Sequence, residues 1–214
     1  MKLLELFSGT HSIGKVAKKK FNINVTSLDK DIGAECPFGS SYRSDKHIKA
    51  DIMHWDYTEF DKDEFDIITA SPVCFWWSNL RYSHIGRGTT REQIEKERDL
   101  YGKPMIDKLF EILNYFQPRW WWIENPQTGA LKYYISQKYS EFDTFYDVDY
   151  CQYTDWGYKK RTRIWTNILD FEPKLCKSKN HSKAIGRTSN FRHRKIYNYR
   201  VPFKIIEELL LLIY

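Results

Sequence analysis

The segment FDIITASPVCFWWS, residues 65–78, joins a short apolar run to a cysteine and a polar loop. Residues 65–70 have the length and apolarity of a buried strand, and Cys74 follows shortly after. Open α/β sheets concentrate their chemistry just beyond the carboxyl ends of the strands. A second apolar run, 120–123, ends in Glu124-Asn125-Pro126. We therefore expect two strands to bring a thiol, which can add to an electron-poor ring, beside a carboxyl group, which can protonate one.

The rest of the chain alternates between short apolar runs and helical stretches. Strands are predicted at 2–6, 24–28, 47–50, 65–70, 120–123, 144–150 and 163–167, and helices at 13–20, 98–116 and 201–213. This alternation favours an α/β fold with a doubly wound, mostly parallel sheet. Two stretches break the rhythm. Residues 79–97 are polar and predict a loop, and residues 170–195 are basic and predict either a substrate-contacting insert or a solvated surface loop.

The composition limits the class of protein. A length of 214 residues suits one α/β domain with a small appended segment, and 42% hydrophobic residues can form a sizeable core. The net charge of +6 and the pI near 9.0 favour a polyanionic partner, most simply nucleic acid. A basic protein without such a partner fits the charge equally well. Aromatic residues, at 17%, are numerous enough to serve both a core and base stacking.

The sequence pattern indicates neither a metal nor a membrane. The four cysteines, at 36, 74, 151 and 176, lack zinc-finger spacing, so we expect free thiols in a reducing compartment and no metal. Glu5 interrupts the apolar start of the chain, which therefore does not match a signal peptide. The apolar C-terminal run, 209–214, is too short to span a bilayer. We expect a soluble intracellular monomer, nuclear or cytoplasmic in a virus-infected host and cytoplasmic in a bacterium.

A glycine turn near the N-terminus indicates a nucleotide-like cofactor. Residues 5–14, ELFSGTHSIG, predict a strand, a tight turn and a helix start, whose backbone N–H groups suit an anionic ligand. Asp29 ends the second predicted strand, where an acid can bind ribose hydroxyls. Asp51 follows the third. Each acid alone would more often be a helix cap or a surface charge. Their placement beside the glycine turn at successive strand ends favours a binding site.

The order of these segments resembles the DNA (cytosine-5)-methyltransferase family, chiefly its compact viral and phage members. The likeness covers residues 3–167 and includes the glycine turn, the Ser-Pro-Val-Cys and Glu-Asn-Pro segments, and the arginine pair of YKKRTR, residues 158–163. It implies a Rossmann-like class I methyltransferase fold with a minimal target-recognition insert. The implied domains are a catalytic domain at 1–169, a recognition segment at 170–195, and a C-terminal helix, 196–214, that returns to the catalytic domain.

The resemblance also implies an activity and residue roles. The chain would transfer a methyl group from S-adenosylmethionine to carbon 5 of a cytosine flipped out of double-stranded DNA, at a short recognition sequence. Cys74 would add to the ring and Glu124 would stabilise the resulting charge. One arginine would bind phosphate and the other the base and Glu124, and this pair is Arg161 and Arg163. The cofactor would be held by Phe7, Gly9, Asp29 and Asp51. The DNA would contact Ser78, Asn125, Arg187, Arg192 and Arg194.

Three departures from the family pattern keep alternatives open. His11 stands where the family usually has glycine, Val73 replaces the proline before the cysteine, and Trp76-Trp77 is bulkier than the usual residues. These changes are the evidence for a pseudoenzyme that binds nucleic acid on a methyltransferase scaffold. A second alternative is methylation of RNA, chiefly tRNA, because one branch of the family acts on RNA with the same scaffold.

Overall fold

A seven-stranded sheet forms the centre of the molecule in the residues that the structure, a computed structural model, describes: 1–31, 44–178, 180–182 and 200–214. The strands are β1 (Lys2–Leu6), β2 (Asn24–Asp29), β3 (Lys46–Lys49), β4 (Ile67–Ala70), β5 (Trp120–Pro126), β6 (Phe145–Asp149) and β7 (Arg161–Thr166). Their order across the sheet is β3-β2-β1-β4-β5-β7-β6. The strands from β1 to β5 pair in parallel, whereas β7 runs antiparallel to both β5 and β6.

Helices cover both faces of this sheet. They are α1 (Ser12–Phe21), α2 (Arg91–Glu97), α3 (Lys103–Phe116), α4 (Leu131–Lys138) and α5 (Phe203–Leu211), with a π-helical turn, Arg98–Gly102, between α2 and α3. Successive side chains of a strand point to opposite faces. Accordingly Leu3 packs with α1 and α5 in one buried cluster, and Leu4 packs with α3 and α4 in the other. The predicted doubly wound α/β fold is confirmed.

The topology positions the site. From β1 the chain proceeds outward through β2 and β3, and it then returns to β4 on the other side of β1. Helices α1 and α3 consequently lie on opposite faces, and a crevice forms at the carboxyl ends of β1 and β4. Ligands of open α/β sheets bind at such a switch point. The glycine turn follows β1 and the Cys74 loop follows β4, so both border this crevice.

The predicted strands match the observed ones to within a few residues, but the loop predicted at 79–97 is wrong. Residues Asn79–His84 form a 3-10 helix, and Arg91–Glu97 form α2. The Thr90 hydroxyl caps α2 by accepting a hydrogen bond from the Gln93 N–H at 3.1 Å. Only Ile94 of α2 is buried, so the segment lacks the repeated apolar positions that reveal a helix in sequence. The short helix α4 was also missed.

The C-terminal helix α5 lies beside α1. The Val201 N–H donates to the Ser12 hydroxyl at 3.2 Å, and Lys20 pairs with Glu207 at 2.6 Å. Residues 171–178 run without regular secondary structure and meet the end of β6, where the Asp149 N–H donates to the Lys174 carbonyl at 3.1 Å. The domain limits at 169 and 195 remain predictions. None of the helices among the described residues is long and apolar enough to cross a bilayer.

The packing of α3 on the sheet predicts a large stability difference between two leucines. Leu109 is fully buried, whereas Leu211 on α5 is 65% exposed. Leu109→Ala should lower the free energy of unfolding by about 2–5 kcal/mol, because it removes buried methyl groups and leaves a cavity. The matched Leu211→Ala variant should change it by no more than about 0.5 kcal/mol. Urea denaturation of both variants measures this, and equal losses would contradict the described core.

Candidate active site

The end of β5 holds the Cys74 loop in place. Strands β4 and β5 are neighbours, with Ala70 opposite Ile123, so the residues that follow them enter the same crevice. The Asn125 side-chain amide donates to the Pro72 carbonyl at 2.9 Å, and the Asn125 side chain is buried. Cys74 then begins the 3-10 turn Phe75–Trp77 and is partly buried. The predicted thiol and carboxyl group are thus delivered to one corner by adjacent strands.

Glu124 is a buried carboxyl group with two partners. Its side chain is 8% exposed. The Tyr150 hydroxyl donates to Glu124 Oε1 at 2.7 Å, and Lys160 Nζ lies 3.3 Å from the same oxygen. Burial, and next the Glu124 carboxylate, hold the pKa of the Tyr150 phenol well above its ordinary value. Tyr150 therefore remains a hydrogen-bond donor to Glu124 throughout the physiological pH range.

Lys160 connects the carboxyl group to the thiol. Burial raises the pKa of the Cys74 thiol, the nearby Lys160 ammonium lowers it, and Glu124 raises it again. The net direction is upward, so in this structure Cys74 is a protonated thiol at neutral pH. A positive charge beside a buried thiol favours the thiolate, which is the nucleophilic form. Lys160 is thus the neighbour whose charge opposes this upward shift of the Cys74 pKa, which is an activating influence on the thiol.

The two predicted arginines do not reach Glu124, which corrects one expectation. Arg161 binds Asp149 through two hydrogen bonds, of 3.1 and 2.7 Å, and Arg163 binds Asp147 through two, of 2.8 and 2.9 Å. The guanidinium carbon of Arg163 also lies over the Phe145 ring, 3.4 Å from the ring centroid. Both arginines therefore join β7 to β6, and Lys160 takes the place beside Glu124.

Strand alternation explains this arrangement. In the β5–β7 pairing, Glu124 lies opposite Ile164 and Asn125 lies opposite Arg163. Residues directly opposite one another project to the same face of a sheet. Glu124 therefore shares a face with Ile164, and the arginines occupy the other face. The expectation that Arg161 and Arg163 lie on a common side is met, but that side is not the side of Glu124.

The predicted cofactor residues border the end of β1. The Gly9 N–H donates to Asp29 Oδ2 at 2.9 Å, so the turn after β1 and the acid after β2 meet directly. Phe7 and Gly9 have positive φ angles, 56° and 40°, and Phe7 is a residue type that rarely adopts this conformation. Such strain is typical of ligand-binding turns. Asp51 is exposed at the next strand end, where it accepts the Met53 N–H at 3.0 Å.

The remaining predicted substrate contacts have mixed placements. Ser78 caps the 3-10 helix Asn79–His84, because its hydroxyl accepts the Leu80 N–H at 3.3 Å. Three predicted DNA contacts lie outside the described residues and stay predictions, namely Arg187, Arg192 and Arg194.

Tyr150 and Lys160 are the site residues that the sequence did not reveal. They lie at the two ends of the connection between β6 and β7, far along the chain from Glu124. The family pattern directs attention to Arg161 and Arg163, and Lys160 lies directly before them. Alternation along the strand would have placed Lys160 on the face of Glu124, provided that the pairing of β5 with β7 had been known.

Comparison with known proteins identifies the family. The chain is 36% identical over 229 aligned positions to a protein of frog virus 3 (isolate Goorha) named "Probable DNA (cytosine-5)-methyltransferase". The match covers 98% of this chain and 99% of the viral protein. The chain belongs to the DNA (cytosine-5)-methyltransferase family. No protein-family model matches it.

Two solved structures are similar to this methyltransferase family member over part of their length. A candidate DNA modification methyltransferase from an E. coli prophage is 16% identical with a TM-score of 0.48, over 78% of this chain and 46% of the other. A Spodoptera frugiperda DNMT2 variant is 16% identical with a TM-score of 0.47, over 88% of this chain and 55% of the other. The chain therefore spans about half the length of these two proteins.

The bulky residues after the cysteine are accommodated by the core of this methyltransferase. Trp77 is buried, 1% exposed, and packs against Tyr134 on α4. Glycines stand where side chains would collide with the tryptophans. A Cβ at Gly102 would lie 3.1 Å from Trp76 Cβ, and one at Gly129 would lie 3.1 Å from the Trp77 carbonyl. The tryptophans thus form part of the packing beneath the Cys74 loop.

His11 occupies its family glycine position in a glycine-like conformation. Its φ angle is 54°, in the left-handed region, and its side chain is buried. The imidazole lies edge-on to the His47 ring, with 5.3 Å between the two ring centroids. Its Nδ1 atom is 3.8 Å from Glu5 Oε2. Glu5 in turn accepts the Ile13 N–H at the start of α1, at 3.1 Å. The imidazole is therefore packed against β1 and β3 behind the turn.

The position of Lys160 predicts the pH dependence of Cys74 reactivity. Lys160→Met should shift the alkylation profile of Cys74 by iodoacetamide to higher pH, because the ammonium that lowers the thiol pKa is lost. At neutral pH the Cys74 thiol should therefore react more slowly than in the unmodified chain. Mass spectrometry of the Cys74 peptide separates this thiol from the others. The exposed Lys19→Met control should leave the midpoint unchanged, and an unchanged midpoint in Lys160→Met would refute the activating role.

Proposed function

We propose that this protein transfers a methyl group from S-adenosylmethionine to carbon 5 of cytosine in DNA, through a covalent adduct at Cys74. The observation that carries the proposal is the delivery of Cys74 and Glu124 by the adjacent strands β4 and β5, with Asn125 bound to the Pro72 carbonyl and Lys160 paired with Glu124. The family supports the reaction type, since the frog virus 3 relative bears the name of that activity.

The chemistry requires a nucleophile and an acid on the same ring. Carbon 5 of cytosine is too electron-poor to take up a methyl group directly, so the Cys74 thiolate first forms a bond to carbon 6. Glu124 stabilises the charge that develops by donating a proton to, or sharing one with, ring nitrogen 3. Carbon 5 then forms its bond to the methyl group that S-adenosylmethionine would supply, and the electrons of the broken methyl–sulfur bond would leave with the donor's sulfur as a neutral thioether. Loss of the carbon 5 proton to a base, with return of the nitrogen 3 proton to Glu124, expels the Cys74 thiolate and restores the ring.

Neighbouring side chains prepare these two groups. Tyr150 and Lys160 orient Glu124 through contacts with its Oε1 atom. Asn125 fixes the Cys74 loop through its hydrogen bond to the Pro72 carbonyl. All three contacts are buried or partly buried, so they hold Glu124 and the Cys74 loop in position before the substrate binds. The target cytosine must leave the base stack, since neither group can reach carbon 6 within a duplex.

The residues around β1 and β2 suit the methyl donor. When bound, S-adenosylmethionine supplies an electrophilic methyl group. Asp29 is oriented by the N–H groups of Gly9 and Asp31, at 2.9 Å each, and both carboxylate oxygens keep lone pairs for ribose hydroxyls. Phe7 would stack on the adenine, and Asp51 would accept from its amino group. His11 stands where the family has glycine. Its imidazole is buried beside Glu5, so this replacement is compatible with the cofactor assignment.

The arginine pair suits the DNA backbone. Arg161 has a side chain that is 36% exposed, whereas that of Arg163 is 12% exposed. Arg161, oriented by the buried Asp149, is therefore the better candidate for a phosphate contact. Arg163 would support the strand from which Arg161 projects. The recognition segment, including Arg187, Arg192 and Arg194, would supply the remaining phosphate contacts.

A mechanism-based trap tests the covalent step. DNA that carries 5-fluorocytosine cannot lose fluorine as a proton, so after methyl transfer the adduct at carbon 6 should persist. A denaturation-resistant complex should form with S-adenosylmethionine present and not without it. Cys74→Ala should abolish the complex, and Glu124→Gln should slow it strongly while cofactor affinity is retained. Gel electrophoresis under denaturing conditions measures all of these.

The controls separate the alternatives. Cys36→Ala should trap as the unmodified chain does, whereas a complex that persists in Cys74→Ala would place the reactive thiol elsewhere. An RNA oligonucleotide that carries 5-fluorocytosine tests the RNA alternative directly. Binding of DNA and cofactor without any adduct would make the chain a binder rather than an enzyme.

The cofactor site has its own prediction. Asp29→Ala should weaken S-adenosylmethionine binding by about 1–3 kcal/mol, or roughly 5- to 150-fold, because two hydrogen bonds to the ribose would be lost. The exposed Asp31→Ala variant is the matched control and should bind as the unmodified chain does. Isothermal titration calorimetry measures both. Equal affinities for the two variants would place the ribose elsewhere.

A further inference from the structure

Two thiols and an imidazole meet beside the active site. Cys151 lies in the 3-10 turn Tyr150–Gln152 that follows β6, and Cys176 and His181 lie in the segment after β7. His181 Nε2 is 3.3 Å from Cys151 Sγ and 3.6 Å from Cys176 Sγ. All three ligand atoms lie within 4.8 Å of one another. Cys176 is buried, and the other two side chains are partly buried.

We propose that Cys151, Cys176 and His181 bind a zinc ion. Zinc binds thiolate sulfur at about 2.3 Å and imidazole nitrogen at about 2.0–2.1 Å, in tetrahedral geometry. Those bond lengths place a sulfur and a nitrogen of one site about 3.5–3.6 Å apart. The two sulfur–nitrogen distances here match that separation. Thiolate and imidazole are also the ligands that zinc prefers over calcium or magnesium.

The shared imidazole is typical of a ligand set. Its Nε2 lies within 3.6 Å of both sulfurs, as a nitrogen ligand does when it shares one edge of the coordination tetrahedron with each sulfur. The fourth tetrahedral position is open to a water molecule or a further side chain.

The backbone of Cys176 is held by an outer layer of contacts. Its N–H donates to Asp149 Oδ2 at 2.8 Å, and its carbonyl accepts from Lys159 Nζ at 2.9 Å. Asp149 is fully buried and also binds Arg161. Outer contacts of this kind fix the orientation of metal ligands. The same carboxylate thus supports both the cysteine and the arginine proposed to bind phosphate.

The position of the site assigns it a role. Cys151 directly follows Tyr150, which donates to Glu124, and residues 176–181 belong to the segment predicted to recognise DNA. A zinc ion would therefore link the start of the recognition segment to the turn that carries Tyr150, the hydrogen-bond partner of Glu124. This link is the zinc clamp. The chain spacing hides the site, because the ligands come from two segments separated by β7. The metal-free prediction made from cysteine spacing is revised by this proposal.

The full-length chain, purified without chelators, tests the proposal by metal analysis. We expect about one zinc per chain by mass spectrometry. After exchange with cobalt, visible absorption of a tetrahedral cobalt–thiolate centre should appear. Cys151→Ser, Cys176→Ser and His181→Ala should each weaken metal binding at least about tenfold. The controls Cys74→Ser and His54→Ala remove a thiol and an exposed imidazole outside the cluster, and both should retain the metal.

A second measurement covers variants that fail to fold. Removal of zinc from the unmodified chain by a chelator should lower its Tm and speed hydrogen exchange in residues 150–152 and 174–178, and added zinc should restore both. Absence of zinc and of the cobalt signal in the unmodified chain would overturn the proposal. Zinc retained equally by all three cluster variants would also overturn it. So would a thiol titration in which two thiols appear only after reduction, since that result identifies a disulfide.

Discussion

The buried carboxyl group of Glu124 is the constraint on which the site depends. A charge taken out of water is costly unless it is paired and hydrogen-bonded. Tyr150 and Lys160 meet that requirement, and both lie in the connection between β6 and β7. The antiparallel insertion of β7 between β5 and β6 is therefore what allows an acid to be buried beside Cys74.

The same strands use their other face for a different purpose. Asp147 and Asp149 on β6 bind Arg163 and Arg161 on β7, so the two strands are joined by two bidentate ion pairs. Burial alone would raise the pKa of Asp149, but Arg161 and the Cys176 N–H outweigh it and keep the group ionised. One edge of the sheet consequently carries Glu124 on one face and the two arginine–aspartate pairs on the other. The proposed zinc clamp joins the two at Cys151 and Cys176.

Much of the fold could be predicted from the sequence, because buried strands have short apolar runs and the helices α1 and α5 have clear apolar faces. The seven strands were located for this reason, and Cys74 and Glu124 were singled out because each follows an apolar run within a few residues. Residues 91–97 were missed, since a single buried residue, Ile94, leaves no periodicity. Lys160, Tyr150 and the Cys151–Cys176–His181 cluster were also missed. Each depends on contacts between distant segments, and those contacts exist only after β5, β6 and β7 are paired in register.

The central claim is that this chain methylates carbon 5 of cytosine in DNA. Bisulfite sequencing of DNA from cells that express the chain tests it most directly. It shows which cytosines are protected from conversion by methylation and in which sequence context they lie. We expect protected cytosines at a short recurrent sequence, and none in cells that express Cys74→Ala at the same level. Complete conversion of cytosine in both samples, with folded protein present, would contradict the account.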